Sequence, residues 1–537
     1  MDVNHPAQTF DYVRSADQDS PVAALHPLVI VGAGPVGLTL AIDLAKKGIP
    51  VVVLDDDHRL STGSRAICFA KRTLEIFDRL GIGEHCVNKG VSWNVGKVFL
   101  REQLLYEFNL LPERNHQRPA FINLQQYYVE AFLNDAARAE SNVDLRWKNK
   151  VVGVTQGDES VTLSVDTPDG IYSINARYVV ACDGARSPIR GFIGQESKGQ
   201  VFRDRFLIAD VKMTAPFPTE RWFWFDPPFH PNQSVLLHKQ PDDVWRIDFQ
   251  LGWDADPELE KRPENVLPRV RALLGADTAF ELEWVSVYTF ACMRMEKFRH
   301  GRVLFAGDSA HGVSPFGARG ANSGIQDADN LGWKLAAVVN GAAPDALIDS
   351  YCAEREFAAD ENIMNSTRST DFITPKSEVS KLFRNAVLEL ARNHPFARRI
   401  VNSGRLSVPS TYADSPLSTP GDDTSFNKGV ALGAPAVDAP VHVDGRVQWF
   451  LSLVGETFKV VQLIDANTLQ ITIVGADQRE NRTVFAEPSD DWKQRYSERV
   501  GSTYLFRPDQ HVCARWHTYD EQSIQRAVNR ALGKKAQ

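Results

Sequence analysis

The sequence predicts an α/β fold of more than one domain, and three observations carry that expectation. Near the start, an apolar strand, a glycine-rich turn, a helix and a second apolar strand follow one another in LVIVGAGPVGLTLAIDLAKKGIPVVVLDDD. Two later apolar strands, Tyr178 to Cys182 and Val303 to Ala306, run straight into Asp183-Gly184 and Gly307-Asp308. Between those two motifs, residues 196–285 change character, and RFLIADVKM, SVLLHK and VWRIDFQLGW alternate as strands of a mainly antiparallel sheet.

The first segment has a physical reason for each part. Gly32 permits the tight turn, Gly34 lets a pyrophosphate reach the backbone, and Gly37 lets the helix pack closely on the strand. Free N–H groups at the helix head face the phosphate. The second strand, Val51 to Leu54, delivers Asp55, eighteen residues after Gly37, where it can accept from ribose hydroxyls. The plain alternative is a tight strand-to-helix turn with no ligand. The strand, helix, second strand and terminal acid together favour dinucleotide binding, without choosing between FAD and NAD.

Composition narrows the partners. The chain of 537 residues, 43% hydrophobic and 24% charged, can bury two or three domain cores. A formal net charge of −8 and no basic run argue against nucleic acid or an anionic membrane, leaving a small molecule as the expected partner. Cysteines at 68, 86, 182, 292, 352 and 513 show no paired spacing, which predicts reduced thiols, a cytoplasmic location and no metal site. The polar N-terminal segment lacks the basic-then-apolar order of a signal peptide. The apolar run from Pro27 to Leu44 is broken by three glycines and reads as strand, turn and buried helix, not a membrane span.

The second and third motifs each set an acid at the carboxyl end of a buried strand, where ligands of open α/β sheets bind. After Asp308, a loop with Pro315, Gly317 and Gly320 opens a long helix at about Asn322. Either acid alone could be a helix cap in an ordinary turn. Taken in order, the three segments resemble the class A flavoprotein aromatic hydroxylases, the group of para-hydroxybenzoate, phenol and hydroxyphenylpropionate hydroxylases. The resemblance runs from about residue 27 to about residue 360.

That resemblance implies a Rossmann-like FAD-binding domain of the para-hydroxybenzoate hydroxylase type and a specific cofactor pose. Gly32, Gly34 and Gly37 would hold the pyrophosphate and Asp55 the adenosine ribose. Arg65 would reach the phosphate or ribityl region, Gln126 (or Gln125, if the register slips) the ribityl chain, and the Val151 backbone the adenine. Asp183 and Gly184, with Arg186 and Ser187, belong to a motif tied to the pyrophosphate and to nicotinamide nucleotide use. Gly307 and Asp308 would bind ribityl hydroxyls. Gly317, Gly320, Ala321 and Asn322 would offer backbone N–H groups to the flavin N1/O2 edge, and Pro315 would lie by the reactive C4a carbon. The loop reads FGARGAN and not the commoner G-G-Q-G-M-N, which leaves the subfamily open.

The implied reaction uses NADH or NADPH and O2 to hydroxylate a phenolic or similar electron-rich ring through a flavin C4a-hydroperoxide. No second glycine-rich fingerprint follows a strand, so the nicotinamide nucleotide would bind only transiently. Trp224, His238, Trp245, Asp248 and Gln250 are the candidate pocket residues, against sheet packing as the bland reading. Arg205, Arg246 and Arg294 are candidates to hold a substrate carboxylate, and His311 a candidate base. An FAD-dependent dehydrogenase or reductase and a flavin halogenase are the alternatives on the same fold, the latter suggested by WFWFDP at 222–227.

The expected domains are an N-terminal extension (1–26), a discontinuous FAD-binding domain (27–195 and 286–385) and a substrate-binding sheet (196–285, with about 90–120). A helical segment and linker (386–428) and a C-terminal domain (429–537) complete the chain. The last of these resembles the thioredoxin-like domain of phenol-type hydroxylases, but Cys513 is its sole cysteine, so a structural or dimer-facing role is expected.

Overall fold

The computed structural model describes residues 8–20, 23–63, 66–215, 217–275, 277–401, 406–475 and 482–534. Its main sheet contains five parallel strands in the spatial order Val303–Phe305, Gly170–Ala181, Leu25–Val31, Val51–Leu54 and Val143–Arg146. Runs such as Leu28-Val29-Ile30-Val31 are buried on both faces, which is why they carry no alternation. All three sequence motifs therefore emerge side by side at the carboxyl edge of neighbouring strands. The helices Pro35–Lys46 and Gly320–Val339 begin at that edge.

A second sheet has seven strands in the order Glu281–Tyr288, Arg205–Lys212, Val244–Leu251, Ser234–Lys239, Arg221–Phe225, Val95–Leu100 and Gln103–Asn109. Its pairings are antiparallel except that between Arg221–Phe225 and Val95–Leu100. Alternation divides its faces. Trp224, Trp245, Ile247 and Phe249 pack outward with Val266 and Val270 of the helix Pro263–Leu274. Phe206 and Phe225 point the other way, into a cluster with Phe290 and Phe316. Phe316 lies in the loop after the third motif, so this inner face looks onto the carboxyl edge of the main sheet.

The C-terminal stretch forms another seven-stranded sheet, in which every pairing is antiparallel. Its hairpin Thr503–Phe506 and Val512–Trp516 leads into the helix Glu521–Ala531. Cys513 is buried there, which pushes its thiol up to about 12 and leaves it a packing residue.

A buried ionic network joins this sheet to the cofactor-side helices. Arg507 bonds Glu354 and Asp509, Lys334 reaches Glu354 at 2.8 Å, and Arg72 spans Asp329 at 3.0 Å and the Asp509 carbonyl at 2.7 Å. Two cations beside Glu354 hold its carboxyl well below the usual range, and burial with Arg507 close by lowers the Lys334 ammonium to about 8. Removing one member leaves charges buried without compensation. Arg507→Met is therefore expected to cost about 3–5 kcal/mol, read as a lower urea midpoint. An unchanged midpoint would show that the network is dispensable.

Candidate functional site

The three glycines of the first motif do different work. Gly32 has φ of 107°, and a Cβ on it would lie 2.4 Å from the Cys182 carbonyl oxygen. A Cβ on Gly37 would lie 1.9 Å from the Gly32 carbonyl oxygen, so helix and turn touch through hydrogen alone. Gly34 has an ordinary φ of −73°, yet a Cβ there would meet no protein atom within 4 Å. It sits at the head of the helix, beside open space of the kind a phosphate needs.

Asp55 fastens this turn. Its two carboxylate oxygens accept from the Ala33 N–H at 2.6 Å and the Asp57 N–H at 2.8 Å, while burial raises its carboxyl to about 6.

In the second motif the cap of the short helix is Ser187, and Asp183 supports it with one oxygen. Asp183 Oδ2 accepts from Ser187 Oγ at 2.8 Å and the Ile189 N–H at 3.2 Å, at the head of the short helix Pro188–Phe192. Its Oδ1 is buried and has no partner among the described residues. A donor on a bound molecule would complete it. Gly184 beside it has φ of 78° and open space around the missing side chain. Arg190 then ties this loop to the third by donating to the Ser309 carbonyl at 2.8 Å.

In the third motif Asp308 is exposed on a single turn, Gly307–Ser309. Below it, Asp327 accepts from the Gly307 N–H at 2.9 Å, His311 Nε2 at 2.6 Å and Arg355 Nε at 2.6 Å. His311 is thus a buried member of the scaffold, and the base reading fails on its geometry. Pro315 is exposed, Gly317 and Ala318 have φ of 98° and 52°, and the helix starts at Gly320, two residues before the sequence suggested. Ala321 lies in its first turn. Asn322 directs its side chain inward, accepting from the Ala70 N–H at 2.8 Å and Thr73 Oγ1 at 2.7 Å, and donating to the Cys68 carbonyl at 2.8 Å.

Gln126 accepts from the Ala66 N–H at 3.1 Å and donates to Glu130 at 2.7 Å, which in turn holds Ser61. Gln125 is buried against Pro241. Val151 is buried and pairs with Val165. Arg65 lies outside the described residues.

The pocket candidates divide between the two faces of the second sheet. Trp224 and Trp245 belong to the outer cluster beneath the helix Pro263–Leu274, so they do not line the inner face. The period-two pattern could group them but could not say which face the helix would cover. Asp248 and His238 lie on the inner face, as does Gln250, which is committed to Ser234 at 2.8 Å. Of the candidate arginines, Arg205 bonds the Trp253 carbonyl at 3.3 Å, Arg246 is paired with Asp210 at 2.7 Å, and Arg294 with Asp360 at 2.6 Å. Arg221 and Cys68, which carry no motif in the sequence, share the buried inner region with Asp248.

The cradle suits an FAD cofactor, on the strength of the open space at Gly34 and the orphaned Asp183 oxygen. Comparison with known proteins agrees. Residues 26–366 match the family described as the FAD binding domain. The chain is 31% identical to a 3-(3-hydroxy-phenyl)propionate/3-hydroxycinnamic acid hydroxylase of Mycolicibacterium smegmatis, over 72% of this chain and 68% of that protein. It is 33% identical to a probable NADH-specific resorcinol 4-hydroxylase of Rhodococcus jostii, over 61% of this chain and 62% of that one. Its fold matches the flavin-dependent monooxygenase PieE, solved in complex with FAD and substrate, with a TM-score of 0.78 at 20% identity over 95% and 100% of the two chains.

The chain belongs to the FAD binding domain family. It is an enzyme of the FAD-dependent monooxygenase class within it. Among the described residues no helix is long and apolar enough to cross a membrane, and no cluster of side chains could hold a metal ion.

The Gly37 contact gives a direct check on this geometry. Gly37→Ala forces a clash with backbone and is expected to yield insoluble protein or a loss of about 1–3 kcal/mol or more, read as a lower urea midpoint. A variant as stable as the parent would contradict the packing described.

Proposed function

We propose that this protein hydroxylates a small phenolic or comparably electron-rich aromatic compound, using NADH or NADPH and O2. The observation that carries the reading is the junction between the third-motif loop and the second sheet. Phe316, next to Pro315, meets Phe206 at 4.9 Å and Phe290 at 5.8 Å between ring centroids. A loop suited to a flavin edge therefore abuts an apolar, aromatic face with polar groups behind it.

Bound FAD supplies the passage of reducing equivalents from the nicotinamide nucleotide to dioxygen, and of one oxygen atom to the ring. This chain's residues bind, orient and exclude water. Gly32, Gly34 and Gly37 would form the turn that holds the pyrophosphate, with Gly34 leaving it room, Asp55 would hold the ribose, and Asp183 Oδ1 and Asp308 would accept from cofactor hydroxyls. The N–H groups of the first helical turn, Gly320 to Asn322, would donate to the electron-rich edge of the bound ring system, where helix-head dipoles favour negative charge. Phe206, Phe290 and Phe316 keep water from the reacting region. The name of the Rhodococcus relative supports NADH as the reductant.

Six unpaired cysteines support a cytoplasmic location. A homodimer is the proposed assembly, supported by Leu382, Phe383 and Phe396, which stand exposed on neighbouring helices. Light scattering of the purified protein reads it directly, and a monomer mass would reject it.

Two experiments test the functional reading. Gly34→Ala is expected to fold normally and lose FAD affinity by tenfold or more, because its methyl group enters the phosphate space and no protein space. Unchanged affinity would place the cofactor elsewhere. With holoprotein and a panel of phenols, NAD(P)H oxidation should yield hydroxylated product in step with nucleotide consumed. Nucleotide oxidation with an aromatic present but without O2 uptake would favour a dehydrogenase.

A further inference from the structure

Ahead of the residues that match the FAD binding domain, an arm formed by residues 8–20 lies along the loop that follows Asp55. Thr9 forms an antiparallel bridge with Arg59, the Phe10 N–H donates to the His58 carbonyl at 2.6 Å, and the Leu60 N–H donates to the Gln8 carbonyl at 3.4 Å. Asp56, Asp57, His58 and Arg59 are exposed, so the loop has little packing of its own to hold it. The arm gives it a backbone edge to pair with.

A second grip falls on the turn 146–149. Phe10 stacks on Trp147 with ring centroids 4.3 Å apart and planes 10° from parallel, and Asp17 pairs with Arg146 at 2.6 Å. All four side chains are buried. His26 joins Asp17 at 3.1 Å, and Arg146 continues through the Tyr172 hydroxyl at 3.1 Å to Asn149 at 2.9 Å.

The turn held in this way is the one that fixes Asp55. The Asp55 N–H donates to the Arg146 carbonyl at 3.0 Å, the Asn149 N–H to the Asp55 carbonyl at 2.8 Å, and the Lys148 N–H to the Asp57 carbonyl at 3.0 Å. The backbone of Asp55 is therefore tied to the segment that the arm grips, while its carboxylate accepts from Ala33 in the glycine turn. At its far end the same loop reaches Ser61, whose hydroxyl donates to Glu130, the partner of Gln126.

We infer that residues 8–20 act as a strap on the adenosine end of the cofactor, with Phe10 and Asp17 as positioning residues that set how tightly and how long FAD is held. Opening the strap frees the loop, lowers the fraction of protein with Asp55 in place and weakens FAD in proportion. The strap rests on the ribose role proposed above for Asp55 and goes beyond it. It is independent of which ring is hydroxylated.

The test uses the full-length protein stripped of FAD and titrated with FAD while flavin fluorescence is followed, with adenosine diphosphate as a displacing competitor and urea midpoints read with and without FAD. Phe10→Ala should raise Kd for FAD and for adenosine diphosphate about tenfold, through faster dissociation, and shrink the gain in midpoint that FAD confers. Deletion of residues 1–20 should do so at least as strongly, and Phe10→Tyr should keep most of the wild-type affinity. If the deletion fails to fold, Phe10→Ala decides. A midpoint lowered equally with and without FAD, at unchanged affinity for both ligands, would make the arm a packing element only and overturn the strap. Weakening of FAD at unchanged affinity for adenosine diphosphate overturns it too. Asp55→Ala separates the two readings: if it weakens both ligands while the arm variants do not, the strap alone fails, and if it weakens neither, the ribose role fails and the strap with it.

Discussion

Val36 sets the tolerance to which the rest of the site is built. It stands in the first motif, and a Cβ on Gly307 or on Gly324 would come within 2.9 or 2.7 Å of its Cγ2. Hydrogen alone fits at both positions, so the third motif and the long helix are pressed together against this one side chain of the first motif. The Gly32–Gly37 contact does the same within the first motif. Close packing of this kind transmits small displacements instead of absorbing them. It holds three loops at the edge of one sheet in a fixed relation, which an extended dinucleotide requires.

The outer supports follow from that constraint. Asp327 gathers Gly307, His311 and Arg355 beneath the third loop, and Asn322 links the head of the long helix to residues 68–73. Farther out, Arg507 and Asp509 bring the C-terminal sheet against Glu354 and Arg72. The C-terminal stretch thus braces helices that carry the site, without a dithiol of its own.

The strand–turn–helix–strand unit was legible because its signals are local: apolar runs, three glycines and a terminal acid within thirty residues. Gly324 was not legible, since its reason is Val36, nearly three hundred positions earlier in the chain. The second sheet is readable as strands from alternation, but alternation alone does not separate pocket candidates from packing residues, and Trp224 and Trp245 prove to pack beneath the helix Pro263–Leu274. Which face a distant helix covers is a tertiary fact. Arg221 and Arg246 look alike in the sequence, and what separates them is Asp210 across a strand pair. His311 sat beside a motif and invited a catalytic role that its burial against Asp327 removes.

The most direct test of the account is the fate of labelled dioxygen. FAD-loaded protein would be supplied with NADH, 18O2 and a ring-hydroxylated aromatic acid, and the product analysed by mass spectrometry alongside nucleotide consumption. One 18O atom is expected in each new ring hydroxyl, with one NADH consumed per product. Nucleotide consumption with every ring left unlabelled, across acids and neutral phenols alike, would contradict it.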